Sequence, residues 1–327
     1  MLRIHFGELD LARTRLASAP DPLWETAATL HRFQTRKGRW AYAGWYRSAR
    51  LQLQRDGLER ALRTVLLPLY PRAAYFPDFL TPVGTEGGLE AGLESLLATP
   101  AHRVRHELML LDRTVGAPGW AGRLADLDTR KAFVRLLREY HDAVVAPYAE
   151  HARARVEAER AARCRALLDG GVEGMLASLG PRMRWRAPVL EVYYPAEDRD
   201  LYLRGRGLTL VPSYFTWGAP VSFADPGLPP VLWYPLLDEQ REPGGELTGR
   251  PLTALLGRAR AAALHAAVAG ATTGELARAA GVSASAASRH ATALRDAGLI
   301  TSVRDGARVL HTLTPVGAAV LRAARRP

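Results

Sequence analysis

Thr272-Thr273-Gly274-Glu275-Leu276-Ala277-Arg278-Ala279-Ala280-Gly281-Val282-Ser283 reads as one short helix with both ends specified, followed by the cap of the next. Thr272 stands at the N-cap and Glu275, three residues on, closes a capping box, so two orphan N–H groups are satisfied reciprocally. Leu276, Ala277 and Ala280 supply an apolar face. Gly281 follows where a helix ends in a positive φ. Val282 is spaced to plug the turn, and Ser283 to cap a second helix from Ala284 to Ala297 that stops at Gly298.

A hairpin comes next. Leu299 to Val303 and Ala307 to Leu313 are strand-like, and Asp305-Gly306 between them suits a tight type I′ turn. Arg304 and Arg308 flank its tip. Thr314-Pro315 then opens a last helix, with threonine as N-cap and proline at the first helical position. Helix, glycine-containing turn, helix and hairpin in this order make a winged helix-turn-helix, whose second helix enters the major groove of DNA.

From about Leu255 to Arg322 the chain resembles the DNA-binding domain of bacterial ArsR/SmtB-type transcriptional regulators. The resemblance rests on Leu255-Leu256-Gly257-Arg258, Thr273-Gly274-Glu275-Leu276-Ala277, Gly281-Val282-Ser283, Ser288-Arg289-His290, Leu294-Arg295-Asp296-Ala297-Gly298-Leu299 and Leu313-Thr314-Pro315-Val316-Gly317. The longer layout, a large uncharacterised N-terminal region ahead of this domain, is similar to that of a group of actinobacterial regulators. The resemblance implies a repressor or activator and leaves its signal open. It also implies that the leading helix, Leu252–Ala269, supports a homodimer. Two-fold symmetry would then call for a palindromic operator.

Early residues of a recognition helix reach base edges, which makes Ala284, Ser285, Ser288 and Arg289 the candidates for base contact. Arg289 can give two hydrogen bonds to guanine O6 and N7; a phosphate contact is its alternative. Ala287, Ala291, Leu294 and Leu299 are assigned to the domain core. Thr273, Ser283, His290, Thr292, Arg295, Arg304 and Arg308 are candidates for the DNA backbone, where contacts position without reading sequence.

Charge follows the same division. The chain holds 44 Lys+Arg against 33 Asp+Glu, but residues 251–327 carry ten arginines against Glu275, Asp296 and Asp305. A basic terminal quarter is what phosphate neutralisation requires. Lys37 and Lys131 are the only lysines. A GC-rich genome would explain arginine over lysine, though not the regional contrast. With 48% hydrophobic residues the chain can build real cores, and its length suits a large domain plus a small module. The N-terminus lacks the apolar run of a signal peptide, and no stretch is long enough to span a bilayer, so a cytoplasmic protein without membrane contact is expected.

The expected fold is α+β and mainly helical. Residues 1–240 form a domain of helices with a small mixed sheet, residues 241–250 a polar linker, and residues 251–327 the winged module. In the first domain Leu2–Phe6 is strand-like. Helices are expected over Asp21–Arg36, Ala49–Tyr70 with a break at Pro68, Gly88–Leu97, His102–Leu111 and Thr129–Leu168 with a break near Pro147. Val189–Tyr193, Asp200–Leu203, Leu208–Val211 and Val231–Tyr234 are β-like and could share one sheet with the N-terminal strand. Nine aromatic residues between Tyr193 and Tyr234 suit a core, a dimer interface or a small-molecule pocket, in that order of preference.

Neither metal nor catalytic chemistry is expected, and no cofactor. The final helix, Pro315–Arg326, contains no Cys, His, Asp or Glu, and the helix from Thr273 no cysteine, so the metal ligands of the resembled family have no counterparts here. His102 and His106 lie one turn apart beside Glu107, but Leu110 stands where a zinc-protease pattern needs histidine. They read as a surface pair. Cys164, the single cysteine, sits between Arg163 and Arg165; a partly buried structural role is preferred over redox sensing. No nucleophile elbow, Walker A or dinucleotide fingerprint is present. The favoured reading is a homodimeric, sequence-specific repressor binding double-stranded DNA, with a small-molecule effector as the candidate signal. The alternative is a small-molecule-binding protein or enzyme that uses the winged module for protein contacts.

Overall fold

The computed structural model describes residues 1–39, 41–72, 75–82, 87–195, 197–236, 250–305 and 308–323. The chain divides into two compact units, Met1–Gln34 with Gln52–Asp238, and Thr35–Leu51 with Glu239–Pro327.

The first unit opens with β1 (Leu2–His5), α1 (Glu8–Arg13), β2 (Arg15–Leu16) and α2 (Pro22–Phe33). α2 starts sharply because Asp21 accepts from the N–H groups of Leu23 and Trp24, while Pro22 needs no partner at the first helical position. The helix expected over 49–70 is instead two. α3 (Ala43–Arg55), whose residues up to Leu51 group with the second unit, ends before Gly57, whose φ of 69° turns the chain. A second run joins Glu59–Ala61, a π-helical turn Leu62–Leu66 and Leu67–Leu69. Pro68 has no N–H for the carbonyl of Thr64 and its ring crowds that carbonyl, so the preceding turn widens.

α4 (Gly88–Ala98), α5 (Ala101–Val115), α6 (Leu127–Val144) and α7 (Ala149–Ala177) follow. The break expected near Pro147 is a 3-10 turn at Ala146–Tyr148. α7 is kinked where Gly170 and Gly171 leave helical geometry, so its first part ends close to the expected Leu168 and a shorter helical part continues to Ala177.

The strands β3 (Met183–Arg186), β4 (Val189–Val192), β5 (Arg199–Tyr202), β6 (Thr209–Ser213), β7 (Val221–Ser222) and β8 (Val231–Pro235) form two sheets, not the single one expected. In the first, ordered β3-β4-β1-β5, the N-terminal strand does enter: Ile4 pairs antiparallel with Leu190 and parallel with Leu201. The second is ordered β2-β6-β8-β7, with β6 and β8 parallel. All five residues of β8 are buried, as suits a strand covered on both faces. Leu2, Ile4, Leu190, Leu210, Leu232 and Tyr234 belong to one buried cluster. Of the nine aromatics, Tyr193 and Tyr202 are exposed and the others are buried.

The second unit contains α8 (Arg250–Leu256), α9 (Arg258–Ala266), β9 (Ala271–Thr272), α10 (Thr273–Ala280), α11 (Ala284–Asp296), β10 (Ile300–Asp305), β11 (Arg308–Leu313) and α12 (Pro315–Ala323). A continuous leading helix over 252–269 is not formed. Gly257, at φ 78°, separates α8 from α9, and residues 267–269 close in a 3-10 turn. β9 adds an unexpected third strand to the wing, with His311 opposite Ala271 and Leu310 opposite Thr272. The expected linker lies outside the described residues except for Arg250, which starts α8. The wing's turn at 306–307 lies outside them as well.

Residues 35–51 also group with this unit. Arg36 reaches back to the α10 N-terminus, its Nη1 3.3 Å from Glu275 Oε2. Arg39 stacks over the ring of Tyr46 at 4.1 Å. Among the described residues no helix is long and apolar enough to cross a membrane.

Candidate nucleic-acid interface

α10 and α11 are set by local chemistry. Glu275 Oε2 accepts from the Thr272 N–H at 2.6 Å, and the Thr272 hydroxyl oxygen accepts from the Glu275 N–H at 3.3 Å. Gly281 adopts the left-handed conformation at φ 64°. Ser283 accepts from the Ala286 N–H and so caps α11. Together these fix the angle between a helix buried through Leu276 and Ala277 and one buried through Ala287, Ala291 and Leu294.

Those three buried positions leave the opposite face of α11 free. Ala284, Ser285, Ser288, Arg289, Thr292 and Arg295 are all exposed, and His290 is half-buried at the edge of the face. Ser285, Ser288, Thr292 and Arg295 follow one another at helical spacing, with Arg289 beside Ser288. Arg289 has no hydrogen bond or ion pair to another described residue, whereas Arg295 pairs with the neighbouring Asp296 at 3.1 Å. An unspent arginine on an exposed helix face, flanked by short side chains, can reach a base edge closely.

The other candidates divide. Ser283 is engaged as a cap, and its hydroxyl also lies 3.0 Å from that of Ser285. Thr273 Oγ1 lies 3.0 Å from His311 Nε2, and Ser302 Oγ 2.8 Å from His311 Nδ1, so a buried histidine ties α10 to both wing strands. Burial, then the charge of Arg295, lowers the pKa of His311. Arg304 and Arg308 are exposed near the wing tip. Arg304 pairs in register with Val309, and Arg308 with Asp305. Strand alternation therefore sends the two arginines to opposite faces of the ribbon.

Glu275 sets an acid limit on this unit. The Thr272 N–H, then the Thr272 hydroxyl, with a further contribution from Arg36, hold its carboxyl at about 2, against an ordinary value of 4.5. Because the folded value is the lower one, its stabilisation is complete above about pH 4.5 and is lost as pH falls toward 2. Glu275→Gln is expected to lower stability at neutral pH and to flatten the acid limb of a denaturation-midpoint series.

Sequence reasoning missed three features here: His311, β9 and residues 35–51. The last had a visible signal, since Arg36, Lys37, Arg39, Arg47 and Arg50 occur there without a carboxylate. Elsewhere, His102 and His106 are exposed. Glu107 is buried and committed to the Phe79 N–H at 2.7 Å and to Arg103 at 2.6 Å. Cys164 is exposed, which corrects its expected partial burial; it lies on the outward side of α7.

Exposed recognition-type helix, glycine turn, capped scaffold helix and wing define a winged helix-turn-helix DNA-binding domain. Residues 269–302 match the family model described as bacterial regulatory protein, arsR family. The chain thus carries an ArsR-family helix-turn-helix domain behind a large N-terminal region, and that domain implies DNA binding. No curated protein and no solved structure was found to match the chain.

Proposed function

We propose that the protein is a cytoplasmic, homodimeric repressor that binds a palindromic operator, with α11 in the major groove and the wing on phosphate or in the adjacent minor groove. The observation that carries this reading is the exposed face of α11, where Arg289, beside Ser285, Ser288 and Thr292, has no hydrogen bond or ion pair among the described residues. The same exposure favours phosphate contacts from Thr292, Arg295, Arg304 and Arg308 and a supporting one from His290. The proposal assigns the chain no catalytic step.

Arg304→Ala tests the wing. It should weaken binding about equally on operator and unrelated DNA and reduce the slope of log affinity against log salt by about one. An unchanged slope would remove Arg304 from the interface. Dimerisation is supported by the family resemblance and by the exposure of Leu255 on α8. Sedimentation equilibrium of the full chain is expected to give twice the monomer mass at micromolar concentration. A monomer, free or on DNA, would contradict the palindromic operator. Deletion of the gene should raise transcription from the bound promoter; a fall would make the protein an activator.

A further inference from the structure

A pocket of about 420 Å³ opens within the first unit, between α2, Arg72, the stretch 75–78, Tyr194, Pro195, Glu197 and the stretch 215–224. Two buried carboxylates hold its walls. Glu25 accepts from the N–H groups of Tyr214 and Phe215 at 2.7 and 2.9 Å. Asp78 accepts from those of Ala224 and Asp225 at 3.2 and 2.9 Å. Burial pushes Glu25 up to about 7 and Asp78 up to about 6. Both groups are spent on the backbone around the cavity.

The lining is aromatic, with Trp24, Phe76 and Trp217 prominent. A volume of this size suits a one- or two-ring molecule. Polar groups remain among these rings. Trp24 Nε1, His31 Nε2 and the Tyr75 hydroxyl belong to lining side chains, are buried, and have no hydrogen-bond partner among the described residues. Burial, then Arg32 and Arg72, pushes His31 down to about 3, so its ring is neutral at physiological pH. The Pro71 backbone opposes that fall, and a neutral ring can offer its unpartnered Nε2 as an acceptor. Trp24 Nε1 can only donate.

Charge at the mouth selects the sign of the ligand. Arg72 is exposed there, with no ion pair to any described carboxylate. Glu197, on the same rim, is paired with Arg199 at 3.3 Å. Arg32 lies 6.0 Å from the ring centre of Trp217. Two arginines, with the nearby carboxylates already engaged, disfavour a cation in this aromatic cage.

We propose that this pocket binds a planar aromatic carboxylate carrying a hydroxyl or ring N–H. The ring lies among Trp24, Phe76 and Trp217, the carboxylate faces Arg72, and the donor meets His31 Nε2. The inference goes beyond the DNA-binding reading and does not depend on it.

Calorimetric titration of the full chain, without DNA, tests it with 4-hydroxybenzoate and indole-3-acetate as probes and their neutral amides as controls. At least one acid is expected to bind, about tenfold or more tighter than its amide, and to quench tryptophan emission. Arg72→Ala should bring the acid down to the affinity of the amide, and Arg72→Lys should restore part of the difference. Arg289→Ala should leave the titration unchanged. No binding of either acid at millimolar concentration would overturn the proposal, as would equal affinity for acid and amide or an unaffected Arg72→Ala variant. Since DNA is absent, none of these outcomes bears on operator binding.

Discussion

Arg289→Ala is expected to cost about 1–3 kcal/mol of operator affinity, roughly fivefold to 150-fold, while leaving the fold intact. Its side chain is exposed on α11 and holds no described partner, so truncation orphans nothing inside the protein. The loss should fall on the operator much more than on unrelated DNA, because a bidentate arginine–guanine pair reads sequence. Gel-shift titrations on both DNAs distinguish this from the alternative. If Arg289 touches only phosphate, the two affinities fall together and the salt slope drops by about one.

Gly317→Ala is expected to destabilise the winged unit by about 3 kcal/mol or more. A methyl group there would run into the backbone carbonyl of Leu299, with the Leu299 carbonyl carbon at 3.0 Å and the Leu313 side chain at 3.2 Å. α12 cannot easily retreat. The Thr314 N–H donates to that same carbonyl at 3.0 Å, and the Thr314 hydroxyl donates to the Gly298 carbonyl at 2.6 Å. Gly274→Ala is the control: it lies in α10 with nothing within 4 Å of the added carbon. It should be neutral or stabilising by about 0.5–1 kcal/mol through helix propensity. Urea denaturation followed by amide hydrogen exchange in α11 separates the two variants. Equal stability for both would mean that α12 does not press on Leu299.

The winged unit was legible because its boundaries are written in adjacent residues. Thr272 with Glu275, Gly281, Ser283, Gly298 and Thr314-Pro315 each act within a turn or two of where they stand. Gly257 carried the same kind of signal, a helix break, but the apolar run on either side masked it. What was lost depends on partners distant in sequence. Leu201 and Leu210 sit in similar β-like runs, yet one pairs with the N-terminal strand and the other with β8. Local propensity holds no information on that choice. His311 looked like any strand residue until Thr273 and Ser302 met its two nitrogens. The pocket is more dispersed still, since Trp24, Arg72 and Trp217 converge only through the topology of the first unit.

Competition binding of the full chain to fragments of its own upstream intergenic DNA, across a salt series and against unrelated DNA, addresses the regulator reading most directly. A specific complex that survives moderate salt with the wild-type chain, and is lost with Arg289→Ala, is the expected result. Affinity no greater than for competitor, together with a genome-wide DNA pull-down that recovers no preferred site, would contradict sequence-specific regulation.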